Sequence, residues 1–128
     1  MKLPKKAFFW APRILGVIAI AFISMFALDA FQADLTPMEQ IRDFLMHLVP
    51  TFILLAIFFV AWKWEFVGGI IFITIGLILT PLIYIHNYNM NGSVWMSLGV
   101  IVMITFPFIL MGILFILDYK INQKHIKK

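Results

Sequence analysis

The sequence predicts an all-α fold: one membrane domain of four transmembrane helices in an antiparallel bundle, with both termini cytoplasmic. Three observations predict it. Hydrophobic residues make up 63% of the 128-residue chain and charged residues 12%. A soluble domain carries about 25% charged residues, so this chain lacks the polar surface to cover itself in water. Long apolar runs alternate with short polar links, as spans of about 20 residues require. Finally, the N-terminal stretch, the 62–65 link and the C-terminal tail hold nine of the ten Lys and Arg residues; the 32–43 and 86–93 links hold only Arg42. Cytoplasmic links carry such an excess, and four spans satisfy it without exception.

The first 13 residues, MKLPKKAFFWAPR, are a basic and aromatic lead-in. The first span is expected over 14–31. A cut after Ala30 would put Leu28 at the position three before the cut, where signal cleavage needs a small residue, with the charged Asp29 beside it, so the helix is read as uncleaved. Only 15 uncharged residues separate Arg13 from Asp29. They make about 22 Å of helix against roughly 30 Å of hydrocarbon, so one of the two charges must dip inward. Arg13 can snorkel on its long stem and the short Asp29 cannot, which makes Asp29 the first candidate polar residue.

Thr36-Pro37-Met38-Glu39 is a capping box that starts helix two, with an amphipathic lead-in over 37–43 and a span over 44–62. Asp43, His47 and Thr51 share its polar face with Gln40. If Pro50 ended this helix, too few residues would remain to cross. Pro50 is therefore expected inside a continuous, kinked helix, with the Met46 carbonyl freed. The run stops at Trp62-Lys63-Trp64-Glu65, an aromatic and charged boundary.

Helix three is expected over 65–84, with Gly69, Gly76 and Thr80 forming a smooth strip where another helix can approach. Pro81 should kink or end it, and HNYNMNGS (86–93) has turn chemistry. Helix four is expected over 94–117, kinked near Pro107, with Ser97, Thr105 and Gly112 near one face. The tail DYKINQKHIKK reads as a polar, basic exit.

Certain blocks carry a resemblance: Arg13-Ile14-Leu15, Phe26-Ala27-Leu28-Asp29, His47-Leu48-Val49-Pro50-Thr51, and Ala61-Trp62-Lys63-Trp64-Glu65 with Gly68-Gly69. With these pieces, residues 12–117 resemble a group of small prokaryotic four-helix integral membrane proteins of unknown function. The resemblance implies a multi-pass protein of a prokaryotic cell membrane. It implies no activity, cofactor or catalytic residue.

The four-span topology brings Asp29, Asp43, His47 and His86 to similar depth at the outer side. Carboxylate and imidazole together suit a proton relay or a divalent cation. The same residues equally suit a structural role, with Asp29 bonded to His47 or to a helix N-terminus and His86 solvated in a loop. Met38, Met46, Met90 and Met96 lie toward the same side but are read as gap-fillers, without ligand spacing. Arg13, Lys63 and Glu65 are read as headgroup anchors at the inner face. Ser24, Ser97 and Thr105 have no base at their depth and are packing residues. Gly68-Gly69 precedes no phosphate-loop pattern and reads as close helix packing.

Catalytic residues, metal ligands and cofactors are therefore not expected. The expected role is that of a non-enzymatic structural, interaction or accessory subunit. Its partners are the lipid bilayer and a second copy or a larger membrane protein, with no nucleic acid, since the net charge of +4 sits at the ends and one link. The alternative is a small permease or ion-coupled carrier with the Asp/His cluster at its mouth. A carrier needs a polar path across the midplane, and only Ser24, Thr51, Thr74 and Thr105 are on offer there.

Overall fold

A computed structural model describes residues 4–126. The elements are α1 (Lys5–Met25), a 3₁₀ turn (Phe26–Ala30), α2 (Pro37–Lys63), α3 (Glu65–Asn91), α4 (Val94–Ile104) and α5 (Phe106–Ile126). Together α4 and α5 make one path, so among the described residues there are four helices long and apolar enough to cross a membrane. The fold is an all-α four-helix bundle. The 27 residues of α2 and of α3 each give about 40 Å of helix, more than the hydrocarbon thickness of a bilayer.

The start of α2 is the capping box: the Thr36 hydroxyl accepts from the Glu39 N–H, and the Glu39 carboxylate accepts from the Thr36 N–H at 2.9 Å. Pro50 lies inside an unbroken α2. A single residue, Trp64, both ends α2 and precedes α3. So tight a hairpin requires Gly68, because a Cβ there would run into the Ala61 backbone. Helix three departs from expectation at its far end. It continues past Pro81 to Asn91, with Asn87 Nδ2 donating to the Ile83 carbonyl and Tyr84 stacked on Tyr88. The stop is Gly92, whose φ of 64° is left-handed. The expected eight-residue turn thus shrinks to Gly92-Ser93, with Ser93 capping α4. The fourth path is interrupted at Thr105, two residues before Pro107. Pro107 has no N–H, so the carbonyl four residues back, that of Met103, is without its helical donor.

The core is built on α5. Ala19 and Ile20 of α1, Phe58 and Ala61 of α2, and Phe72 of α3 meet Phe108, Met111 and Phe115 of α5. Two close approaches set the spacing. A Cβ on Gly69 would sit 2.7 Å from the Gly112 carbonyl oxygen, and one on Gly112 would sit 2.6 Å from the Gly69 oxygen. At α1, a Cβ on Gly16 would strike Phe58 and Met111. Further along, Gly76 faces Ile109, and the Thr80 hydroxyl lies within hydrogen-bonding distance of its own Gly76 carbonyl (2.7 Å) and of Thr105 Oγ1 (3.0 Å). Outside this seam the bundle wall is apolar: Ile18, Phe59, Leu77, Ile78 and Val102 are each more than half exposed.

Candidate functional site

Helix α1 begins at Lys5, nine residues or about two and a half turns before the position where the first span was expected, and those turns carry Arg13 into the bundle. Arg13 is 2% exposed and packs among core residues. This corrects its reading as a headgroup anchor. On α1, Arg13, Gly16 and Ile20 are buried at helical spacing, so the arginine continues the apolar seam. On α5 the buried series Phe108, Met111, Phe115 ends in Asp118. The two helices run antiparallel, and the ends of the two series meet.

The guanidinium is held from several sides. Nη1 donates to Asp118 Oδ2 at 2.9 Å and to the Phe9 carbonyl one turn back. Nη2 donates to Glu65 Oε1, the first residue of α3, at 3.2 Å. Asn122, one turn beyond Asp118, donates to its other carboxylate oxygen at 3.3 Å. Arg13 Cζ lies 3.6 Å from the Phe9 ring centroid and 5.3 and 5.4 Å from those of Trp62 and Phe115. Arginine suits such a place, since its weakly hydrated planar fork can pair with two carboxylates and stack on rings at once. Nε is buried without a partner among the described residues.

Energetically this is an interlock. Asp118 is 1% exposed and Glu65 is partly so. Removing one partner from a buried pair strands a charge and costs about 3–5 kcal/mol, although the intact pair need not outperform an apolar replacement. The site therefore ties α1, α3 and α5 in one register. It also absorbs both carboxylates at this end of the bundle.

The residues expected to cluster at the opposite end are placed separately. Asp29 is exposed on the 3₁₀ turn, where its backbone carbonyl accepts from Gln32. Asp43 is partly buried, and His47 is exposed with Nδ1 2.7 Å from the Asp43 carbonyl oxygen. His86 is exposed on α3. No hydrogen bond or ion pair joins these four side chains among the described residues, and no group of three or more His, Asp or Glu there is arranged to hold a metal. Of the two charges that bracket the first span, Arg13 is the one that goes inside.

Near the middle of the bundle a cavity of about 140 Å³ is lined by Ile23, Pro50, Phe72, Gly76, Thr105 and Phe108, among others. All four paths contribute to it, and the surface facing it is apolar. Sequence reasoning missed Asp118, which it placed in the polar tail. The available signal was its spacing, three residues after Phe115 and seven after Met111, on a helix face otherwise wholly apolar.

A sequence profile described as a domain of unknown function, DUF7670, matches residues 1–128. Searches of curated proteins and of solved structures return no match.

Proposed function

The chain belongs to the DUF7670 family, whose description assigns no activity, and from its geometry we propose a non-enzymatic integral membrane protein that acts by interaction, as a structural or accessory subunit. The observation that carries this reading is the commitment of its buried charge. Arg13 is spent on Asp118 and Glu65, which hold helices together. The central cavity offers apolar walls, suited to neither a polar substrate nor an ion. The apolar outer wall supports residence in a lipid bilayer, the medium in which such a surface is satisfied.

The proposed setting is a prokaryotic cell membrane with both termini cytoplasmic, supported by the resemblance and by the distribution of Lys and Arg. Because the chain has no Cys, single introduced thiols report topology directly. Ala33→Cys and Asn89→Cys should react with an impermeant reagent in intact cells, and Lys5→Cys and Gln123→Cys should not. The role itself is tested by crosslinking and purification of end-tagged protein from native membranes. A stoichiometric membrane partner or a second copy of the chain is expected. Cation or proton flux in proteoliposomes that disappears with Asp29→Asn or His47→Leu would instead establish the carrier reading.

A further inference from the structure

We propose that the basic end of the bundle binds the phosphate of an anionic phospholipid, in the cleft between the α2–α3 turn and the last turns of α5. The inference rests on the membrane reading above and adds a ligand to it. Charge is segregated along the bundle. Among the described residues, Lys5, Lys6, Arg13, Lys63, Lys120 and Lys124 lie at one end, with Glu65 and Asp118 as the acidic residues there. The opposite end has Asp29, Asp34, Glu39 and Asp43 against Arg42 alone. Counted over the described residues alone, the ends carry net charges of +4 and −3 with His neutral.

The buried site makes this asymmetry effective. The side-chain carboxylates of Glu65 and Asp118 are both taken by Arg13, and among the described residues the lysines form no ion pair with a carboxylate. Their charge is left for an external anion. The relevant surface is also shaped. A cleft of about 280 Å³ is lined by Lys63, Trp64, Glu65, Phe66, Val67 and Tyr119. It adjoins, across Tyr119, a second cleft lined by Lys120 and Lys124. Lys63 Nζ stands 4.8 Å from the Trp64 ring centroid, and Phe66 packs on Tyr119 at 5.3 Å between centroids.

An ammonium group above an aromatic ring, with further lysines beside it at the end of an apolar wall, matches a lipid in both parts: phosphate to lysine, acyl chains to the wall. A soluble phosphate would gain only the first part. Helix α1 runs from Lys5 to Arg13 about 12 Å beyond the level of the α2–α3 turn. Lys5 and Lys6 therefore extend the same positive surface outward.

The test uses the full chain purified in a neutral detergent, with native mass spectrometry after addition of equal phosphatidylglycerol and phosphatidylcholine. Wild type should retain phosphatidylglycerol several-fold over phosphatidylcholine. A lysine near an anionic surface contributes about fivefold in binding, so Lys63→Gln and Lys120→Gln should each give a partial loss. Lys63→Gln/Lys120→Gln/Lys124→Gln should bring retention to the phosphatidylcholine level, and the corresponding Lys→Arg triple should restore it. Arg42→Gln, at the other end, should change nothing. Equal retention of the two lipids by wild type, or a loss with Arg42→Gln matching that of the triple, would overturn the proposal. So would competition by millimolar glycerol phosphate, which would mark a free-phosphate site. Failure of the membrane reading is separately visible, as protein released from membranes by salt without detergent.

Discussion

At the basic end of the bundle Arg13 reaches across 105 positions of sequence to Asp118, whereas at the opposite end the described charged and polar side chains bond locally, none farther than the eight positions from Gln40 to the Gln32 carbonyl. There Glu39 closes onto Thr36, and His47 onto the carbonyl of Asp43. Both ends contain carboxylates next to a potential cation. They differ in what surrounds the charge. Arg13 and Asp118 sit in the apolar seam, where a partner is compulsory and only a distant helix can supply it. Asp29, His47 and His86 are exposed, so solvent or headgroups can satisfy them. Long-range polar pairing is thus found where desolvation demands it, and a shared depth alone does not assemble a cluster.

The contrast can be broken most severely at Arg13. Arg13→Leu strands the Asp118 and Glu65 carboxylates and should lower unfolding free energy in detergent by about 3–5 kcal/mol. Arg13→Lys keeps the charge but not the planar fork. It should recover part of this loss and remain well below wild type.

Next in size are the glycine contacts that allow α5 to approach so closely. Gly69→Ala and Gly112→Ala each push a methyl group toward a facing backbone oxygen and should cost about 1–3 kcal/mol. Gly99→Ala meets open space and should be neutral or stabilise α4 by up to about 1 kcal/mol. Equal effects at Gly69 and Gly99 would mean that the α3–α5 crossing is looser than described.

Smaller still is the Thr80–Thr105 contact. Thr80→Val should cost about 0.6 kcal/mol, the usual scale for an interhelical hydrogen bond in a membrane. At the acidic end, Asp29→Asn and His47→Leu should each stay within about 0.5 kcal/mol of wild type, as exposed positions do. A loss above 2 kcal/mol at either would erase the difference between the two ends.

Much of the fold was legible in the sequence because its signals are local. The Thr36–Glu39 box, the Trp62–Glu65 boundary and the length argument that kept Pro50 inside a helix each need only neighbouring residues. The end of α3 was misjudged because HNYNMNGS looks like a turn throughout. Asn87 and Tyr88 in fact make bonds and stacks within the helix, and Gly92 alone supplies the left-handed stop. The Arg13 site was missed for a related reason. A charge at the edge of an apolar run is ordinarily a boundary marker, and both Arg13 and Asp118 occupy such edges. Only their shared register with Gly16 and Ile20, and with Met111 and Phe115, indicates that they face inward. That they face each other depends on the antiparallel packing of the first and last helices, which no single stretch of sequence contains.

A double-mutant cycle on unfolding free energies measures directly whether Arg13 and Asp118 act as one unit. Arg13→Leu/Asp118→Leu should be more stable than Arg13→Leu alone, since the stranded Asp118 carboxylate is gone, and the coupling between the two positions should reach about 2–3 kcal/mol. If the two losses instead simply add, within about 0.5 kcal/mol, Arg13 and Asp118 do not interlock the first and last helices.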